Sequence, residues 1–265
     1  MAGVRIKAAA RRCTNIVVKT MAKRSPKLAL RQSCVLDLIE GWPAGSFLEV
    51  GAGIGYMTRL FLDRGHWGLC YDLDRASRDH LRHNLKPYGD RIRVLDALSN
   101  LPEASCDYLL AFEVLEHIDD DRRVLADWSR YLKPGGRLMV SVPAHQRHYG
   151  PADVRVGHVR RYERAALFAL LGQSGYQSVR LVNYGFPLTS ISRRLANRLL
   201  NSIPEQAEKS LEQRSLESSY TRPPVADKAL SLVSEAAYRP FAILQRLFYQ
   251  WDWGDGIVAE AVKGP

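Results

Sequence analysis

Along the first 143 positions the chain alternates between two hydrophobic patterns. Short runs rich in apolar residues, SFLEV at 46–50, WGLCYD at 67–72, RIRVLD at 91–96, CDYLLAF at 106–112 and GRLMVSVP at 136–143, read as strands. Between them lie stretches with apolar side chains at helical spacing: YMTRLFLDRG, RASRDHLRHNL and DDDRRVLADWSRYL. A further helix is predicted over residues 27–41, stopped by Gly41 and Pro43. Strands alternating with helices across short turns build parallel βαβ units with right-handed crossovers. The expected fold class is therefore α/β, a doubly wound sheet with helices on both faces.

After Pro143 the rhythm changes. YERAALFALLGQSG reads as a helix, QSVRLVNYG as a strand, and GIVAEAVK near 256–263 as the last strand. The long, mostly helical stretch at 186–254 exceeds any plain connection, which predicts a helical cap inserted before that strand. Its segment RPFAILQRLFYQWDW is rich in aromatic residues, suited to packing on the sheet domain or to facing a membrane. The domain plan is thus a basic arm at 1–26 and one α/β domain over 27–265 carrying the cap.

Composition narrows the function classes. With 46% hydrophobic and 25% charged residues, the chain can bury a core and is not a disordered protein. Every window of about 18 residues contains a charge, which argues against a spanning helix. The net charge of +10 suggests nucleic acid until it is located. Arg5, Lys7, Arg11, Arg12, Lys19, Lys23, Arg24, Lys27 and Arg31 all precede the first acid, Asp37. Without those nine, the 38 basic residues fall to 29 against 28 acidic ones, so the body is nearly neutral. The arm suits anionic lipid, RNA, a transit peptide or a solvated tail; it lacks the apolar core of a secretory signal. A nearly neutral body offers no groove for nucleic acid, which is not the expected partner. Cys13, Cys34, Cys70 and Cys106 form no CxxC pair, which fits a reducing, cytoplasmic compartment.

The candidate chemistry sits at strand ends. Glu49-Val-Gly51-Ala-Gly53-Ile-Gly55 follows the first strand, and glycines there let backbone N–H groups approach a ligand. A dinucleotide fingerprint would require glycine at Tyr56, which argues against a nucleotide-dependent oxidoreductase. Asp72 ends the second strand, where a carboxylate can accept from both ribose hydroxyls. Asp96 ends the third, placed to receive an adenine amine, and Glu113 follows the fourth. Leu132-Lys-Pro-Gly-Gly136 reads as a tight turn feeding the fifth strand.

In order and spacing, FLEVGAGIGYMTRLFLDRG, YDLD, VLDALSNLP, DYLLAFEVLEHIDD and LKPGGRLMVSVP resemble the class I S-adenosylmethionine-dependent methyltransferases. GHVRRYERAALFALLGQSGYQSV resembles the segment that follows in their small-molecule branch. The resemblance implies a Rossmann-like, seven-stranded, mostly parallel sheet with an antiparallel final hairpin. It also implies S-adenosylmethionine as cofactor and an oxygen or nitrogen of a small or lipid-like molecule as acceptor. By the same resemblance Glu49, Gly51, Gly53 and Gly55 hold the methionine part and the sulfonium side. Asp72 takes the ribose, Asp96 and Ala97 flank the adenine, and Glu113 sits under the reactive methyl.

For the base, His117, His145 and His158 stand near the sheet's carboxyl edge, whereas His148 reads as a loop histidine. Arg160, Arg161 and Tyr162 are candidates to clamp an anionic substrate; the other reading pairs them with Asp153 or Glu163. Glu113, Glu116, His117 and His158 also make a possible divalent-metal set, similar to that of metal-dependent small-RNA and quinone-type O-methyltransferases. The preferred expectation is a site without metal. A nucleotide-binding or regulatory protein that kept the fold and lost the reaction stays open as an alternative. Oligomeric state is not readable from the sequence.

Overall fold

A computed structural model describes residues 25–99, 101–190 and 235–264. Most of the basic arm (1–24) and of the expected cap (191–234) lies outside these described residues. The first helix, α1 (Pro26–Leu38), starts where Ser25 Oγ accepts from Leu28 N–H at 3.2 Å and Pro26 occupies the first turn.

Seven strands follow in one sheet: β1 (Ser46–Val50), β2 (Trp67–Tyr71), β3 (Ile92–Val94), β4 (Cys106–Phe112), β5 (Leu132–Pro143), β6 (Tyr176–Tyr184) and β7 (Gly256–Lys263). Their spatial order is β3-β2-β1-β4-β5-β7-β6, with β7 antiparallel to both β5 and β6. The helices between them are α2 (Tyr56–Asp63), α3 (Arg75–Leu85), α4 (Asp121–Ser129), α5 (Pro151–Val156) and α6 (Arg164–Gln173). This is the expected α/β sheet, with the hairpin in place.

Period-two alternation explains why both faces are covered. Leu48, Leu109, Ala111, Leu138 and Val140 face a core shared with Leu125 and Trp128 of α4 and Leu167 and Leu171 of α6. Their neighbours Phe47, Tyr108, Leu110 and Met139 face the opposite core, with Leu30, Cys34 and Val35 of α1 and Phe61 of α2. Deleting one such buried side chain, Phe61 for example, costs about 3–5 kcal/mol.

Two expectations need correction. The fifth strand begins at Leu132 rather than Gly136: Cys106 pairs with Leu132 and Tyr108 with Arg137, so Lys133–Gly136 forms an irregularity inside the strand. A bulge of this kind lets turn-forming glycines sit within a ladder. α5 was not predicted, because PADVRV is short and carries no helical apolar stripe.

The described end of the expected cap, residues 235–253, is helical in part and includes α7 (Arg239–Leu244). It is tied to α1: Gln245 donates to the Leu30 carbonyl at 3.0 Å, and Arg246 grips Asp37 at 2.6 and 2.8 Å. Its aromatics divide. Phe241 and Tyr249 pack on the core, whereas Phe248, Trp251 and Trp253 cluster with Phe186, the two tryptophans 53% and 47% exposed. Among the described residues, no helix is long and apolar enough to cross a membrane.

Candidate active site

The loop after β1 is shaped by backbone. Gly51 and Ala52 donate to the Tyr71 carbonyl at 2.9 and 3.1 Å, tying the loop to the end of β2. Gly51 has φ 70°, and a Cβ there would lie 2.4 Å from a methyl of Val114. Gly53 has φ 56° with open space where a Cβ would stand, so the loop presents bare backbone. Its N–H donates to Asp72 Oδ2 at 2.7 Å, and Asp74 N–H donates to Oδ1 at 3.1 Å. Burial raises the Asp72 pKa against the pull of these two donors.

Glu49 is fully buried below the loop and accepts the Thr58 hydroxyl at 2.6 Å. Burial pushes its pKa up to about 8. Asp96 and Ala97 are exposed just beyond β3. Asp96 Oδ1 takes Arg82 at 2.6 Å and Arg78 at 3.5 Å, and the Arg82 hydrogen bond lowers its pKa. An adenine amine at Asp96 would share the carboxylate with these arginines.

Glu113 stands at the tip of β4 with φ 57°, a left-handed backbone uncommon for a residue with a Cβ. Its carboxylate meets Lys27 and lies 3.3 Å from Arg31, both on α1. It also accepts from Ser141 at 3.1 Å and Tyr184 at 3.2 Å. Burial works to raise its pKa, but Lys27 and Arg31 outweigh that and hold it well below the ordinary carboxylate range. The two cations come from the segment that composition assigned to the edge of the basic arm.

Beyond Glu113 the chain turns through Glu116 and His117 toward a second centre. The His117 and His158 rings meet edge to face at 4.9 Å. His158 Nδ1 lies 2.8 Å from Asp153 Oδ1 and its Nε2 lies 3.7 Å from Glu116 Oε1. Burial lowers both histidines, His117 to about 4, so each is neutral near pH 7. Glu116 is wholly buried, and neither carboxylate oxygen has a hydrogen-bond partner among the described residues. Burial, then the Glu113 charge, raises its pKa well above the ordinary value.

Asp153 is the partner that sequence reasoning missed as a site residue. The D-x4-H spacing across α5 was available, but only the fold of that short helix turns the carboxylate onto His158. The substrate clamp is corrected by the same geometry. Arg161 is fully buried, donates twice to Asp153 at 2.7 and 2.9 Å, and reaches the Ala144 carbonyl at 3.0 Å. Arg160 pairs with Asp121 at 2.9 Å and donates to the Asp119 carbonyl. The Tyr162 hydroxyl lies 2.8 Å from Asp121 Oδ2 and 3.2 Å from the Leu115 carbonyl. The alternative pairing with Asp153 is thus met by Arg161, whereas Arg160 and Tyr162 meet Asp121 instead.

The four-residue metal set is corrected too. Glu116, His117 and His158 offer ligand atoms within 4.8 Å of one another, and an orphaned buried carboxylate suits a cation. Glu113 is committed to Lys27 and Arg31 instead. His145, the third base candidate, is buried on another side: it faces Glu163 and Asp252 and meets the His148 ring edge to face. It shares none of the side-chain partners of His158.

Comparison with known proteins reaches the same fold. Residues 48–140 match the family model described as a methyltransferase domain. Over this stretch the chain is similar to methyltransferase domains. It is 32% identical over 132 residues to a Mycolicibacterium smegmatis protein named "Probable S-adenosylmethionine-dependent methyltransferase", covering 49% of this chain and 51% of that one. It is 29% identical over 114 residues to the ubiquinone biosynthesis O-methyltransferase of Idiomarina loihiensis, covering 40% and 47%. This chain thus spans about half the length of these curated relatives. Among solved structures, Haemonchus contortus phosphoethanolamine N-methyltransferase 2 in complex with S-adenosyl-L-methionine superposes with a TM-score of 0.57 at 18% identity, over 89% of this chain and 53% of that one. The methyltransferase domain match includes the glycine loop, Asp72, Asp96 and Glu113, and stops before His145, Asp153 and His158.

Proposed function

We propose that this chain transfers the methyl group of S-adenosylmethionine to an oxygen or nitrogen of a small or lipid-like acceptor. One observation carries the reading: the open Gly53 backbone bonded to Asp72 and the His158–Asp153 pair both lie at the carboxyl edge of one sheet. Bound, S-adenosylmethionine supplies a methyl on a sulfonium, an electrophile strong enough to need only correct placement. Asp72 would hold the ribose hydroxyls, the loop from Gly51 to Gly55 the methionine part, and Glu49 a negative charge near the sulfonium. Asp96 and Ala97 would border the adenine.

His158 would take the acceptor's proton at Nε2 while Asp153 fixes the other ring nitrogen, an arrangement suited to general base catalysis. Its lowered pKa keeps it in the neutral, accepting form. Glu113, held ionised by Lys27 and Arg31, would favour positive charge at the end of β4. Phe186, Phe248, Trp251 and Trp253 would cover an acceptor that is partly apolar. Exposed Ile243, Leu247 and Trp251, together with the basic arm, would rest such a domain on an anionic lipid surface.

A second reading adds a divalent cation at Glu116, His117 and His158, favoured by the buried carboxylate without a hydrogen-bond partner. The cation would orient an acceptor oxygen and promote loss of its proton. One experiment addresses both. The full chain is incubated with methyl-labelled S-adenosylmethionine and a panel of phenol, amine and isoprenoid-phenol acceptors, with and without a chelator. Label on an acceptor is expected. Absence of transfer across the panel together with absence of S-adenosylhomocysteine binding would remove the methyltransferase reading. Activity lost to chelator and restored by Mg²⁺ or Zn²⁺ selects the metal-assisted form.

A further inference from the structure

We propose that His145, Glu163 and Asp252 form a divalent transition-metal site, separate from the donor loop and from the His117–His158 centre. His145 follows β5, Glu163 precedes the first turn of α6, and Asp252 lies in the aromatic segment before β7. Three elements distant in sequence thus come together, each offering one ligand atom within 4.8 Å of the others, the imidazole through one of its two ring nitrogens. Glu163 Oε2 lies 3.5 Å from His145 Nδ1, and Asp252 Oδ1 lies 3.8 Å from Nε2.

The independent observation is the imidazole itself. The side chain of His145 is 2% exposed, and neither ring nitrogen has a hydrogen-bond partner among the described residues. A buried imidazole ordinarily bonds through at least one nitrogen, and its lone pair is a good ligand for zinc. The backbone holds it in place. His145 has φ 64°, its N–H donates to the Tyr162 carbonyl at 2.9 Å, and its carbonyl accepts from His148 at 2.9 Å.

The two carboxylates are oriented in the way metal ligands are. Glu163 Oε1 accepts the Gln146 N–H at 2.9 Å, which leaves Oε2 toward His145. Asp252 Oδ1 accepts from the Asn183 amide at 2.9 Å, and Asn183 is itself bonded by Arg164. Such outer partners fix ligand direction. Two carboxylates and a neutral imidazole bring two negative charges, matching a divalent ion, and the mixed nitrogen and oxygen set suits Zn²⁺ or Co²⁺. Glu163 and Asp252 are themselves 48% and 46% exposed, which gives an ion a route from solvent. Bound there, a metal would pin the Trp251–Trp253 segment to the β5 and α6 ends of the sheet domain, without taking part in methyl transfer.

The full chain, stripped with chelator, is titrated with Zn²⁺ by calorimetry and with Co²⁺ by visible absorption, following tryptophan emission throughout. The expected result is visible Co²⁺ bands and a change in emission, since Asp252 sits between Trp251 and Trp253. The pair Glu163→Gln and Asp252→Asn, both partly exposed and nearly isosteric, should weaken this binding on the order of a hundredfold or more. Glu116→Gln, which addresses the other cluster, should leave the emission change intact. Binding and emission unchanged in the double variant would overturn the proposal, as would binding lost only with Glu116→Gln. So would ring ¹⁵N spectra showing a doubly protonated His145 that no metal perturbs, because the two carboxylates would then simply pair with an imidazolium.

Discussion

The two halves of the carboxyl edge are built by different means. Around Gly51, Gly53 and Asp72 the working groups are backbone N–H groups and one carboxylate, set by strand ends and glycine torsions within about two βα units. Around Glu113 and His158 they are side chains, joined by ion pairs and hydrogen bonds: Lys27 reaches Glu113 across 86 positions, and Asp153 reaches His158 across the turn that ends α5. A backbone site tolerates change in any side chain that does not fill it. A side-chain site is only as good as its partners, and each partner can be exchanged without disturbing the sheet. The first half therefore suits a shared donor and the second a particular acceptor.

The sharpest way to break this division is at His158. His158→Gln should lower kcat by about 10²–10⁴ while donor affinity stays unchanged. Single-turnover kinetics and calorimetry with S-adenosylhomocysteine, run on the same protein, separate the two. Equal losses in both would mean that the halves are one site rather than two.

Next in size is the donor half. Asp72→Ala removes a carboxylate placed for the ribose and leaves the Gly53 N–H without its acceptor, so S-adenosylhomocysteine should bind about a hundredfold more weakly. The paired glycines sharpen the point. Gly51→Ala forces a methyl against Val114 and should cost about 1–3 kcal/mol of stability, read as a lower Tm. Gly53→Ala meets no neighbour, so it should lower Tm less and donor affinity more. A reversed pattern would show that Gly53 serves the fold rather than the ligand.

How much of this the sequence revealed follows the same division. The strands, their helices and the placing of Gly51–Gly55 and Asp72 at strand ends were readable because each depends on local periodicity or on a motif a few residues long. The buried pairing of Arg161 with Asp153 could be named only as an alternative to substrate binding, because an arginine in a loop reads alike whether it faces a ligand or a buried carboxylate. Lys27 looked like arm charge, yet α1 carries it to Glu113. The match of Asp252 to His145 spans more than a hundred residues and has no sequence signature at all. Long-range electrostatic pairing is decided by the fold, and it is the fold that turns a charge count into a site.

The smallest of these effects, and the most selective, concerns Glu49. Its pKa of about 8 means that at neutral pH the free protein holds mostly the neutral acid. A sulfonium beside it favours the carboxylate, so binding of S-adenosylmethionine should release a proton below pH 8. Affinity should then rise with pH until Glu49 is ionised without help, by about tenfold between about pH 7 and pH 9. S-adenosylhomocysteine has the same amino and carboxyl groups but a neutral sulfur. The ratio of the two affinities therefore isolates the sulfonium term from every other titration in the ligand. That ratio should climb with pH in the unaltered chain and stay flat in Glu49→Gln. If it climbs equally in both, the titrating charge that faces the sulfonium belongs to another carboxylate whose pKa is raised by burial, and Glu116 is the one to test next.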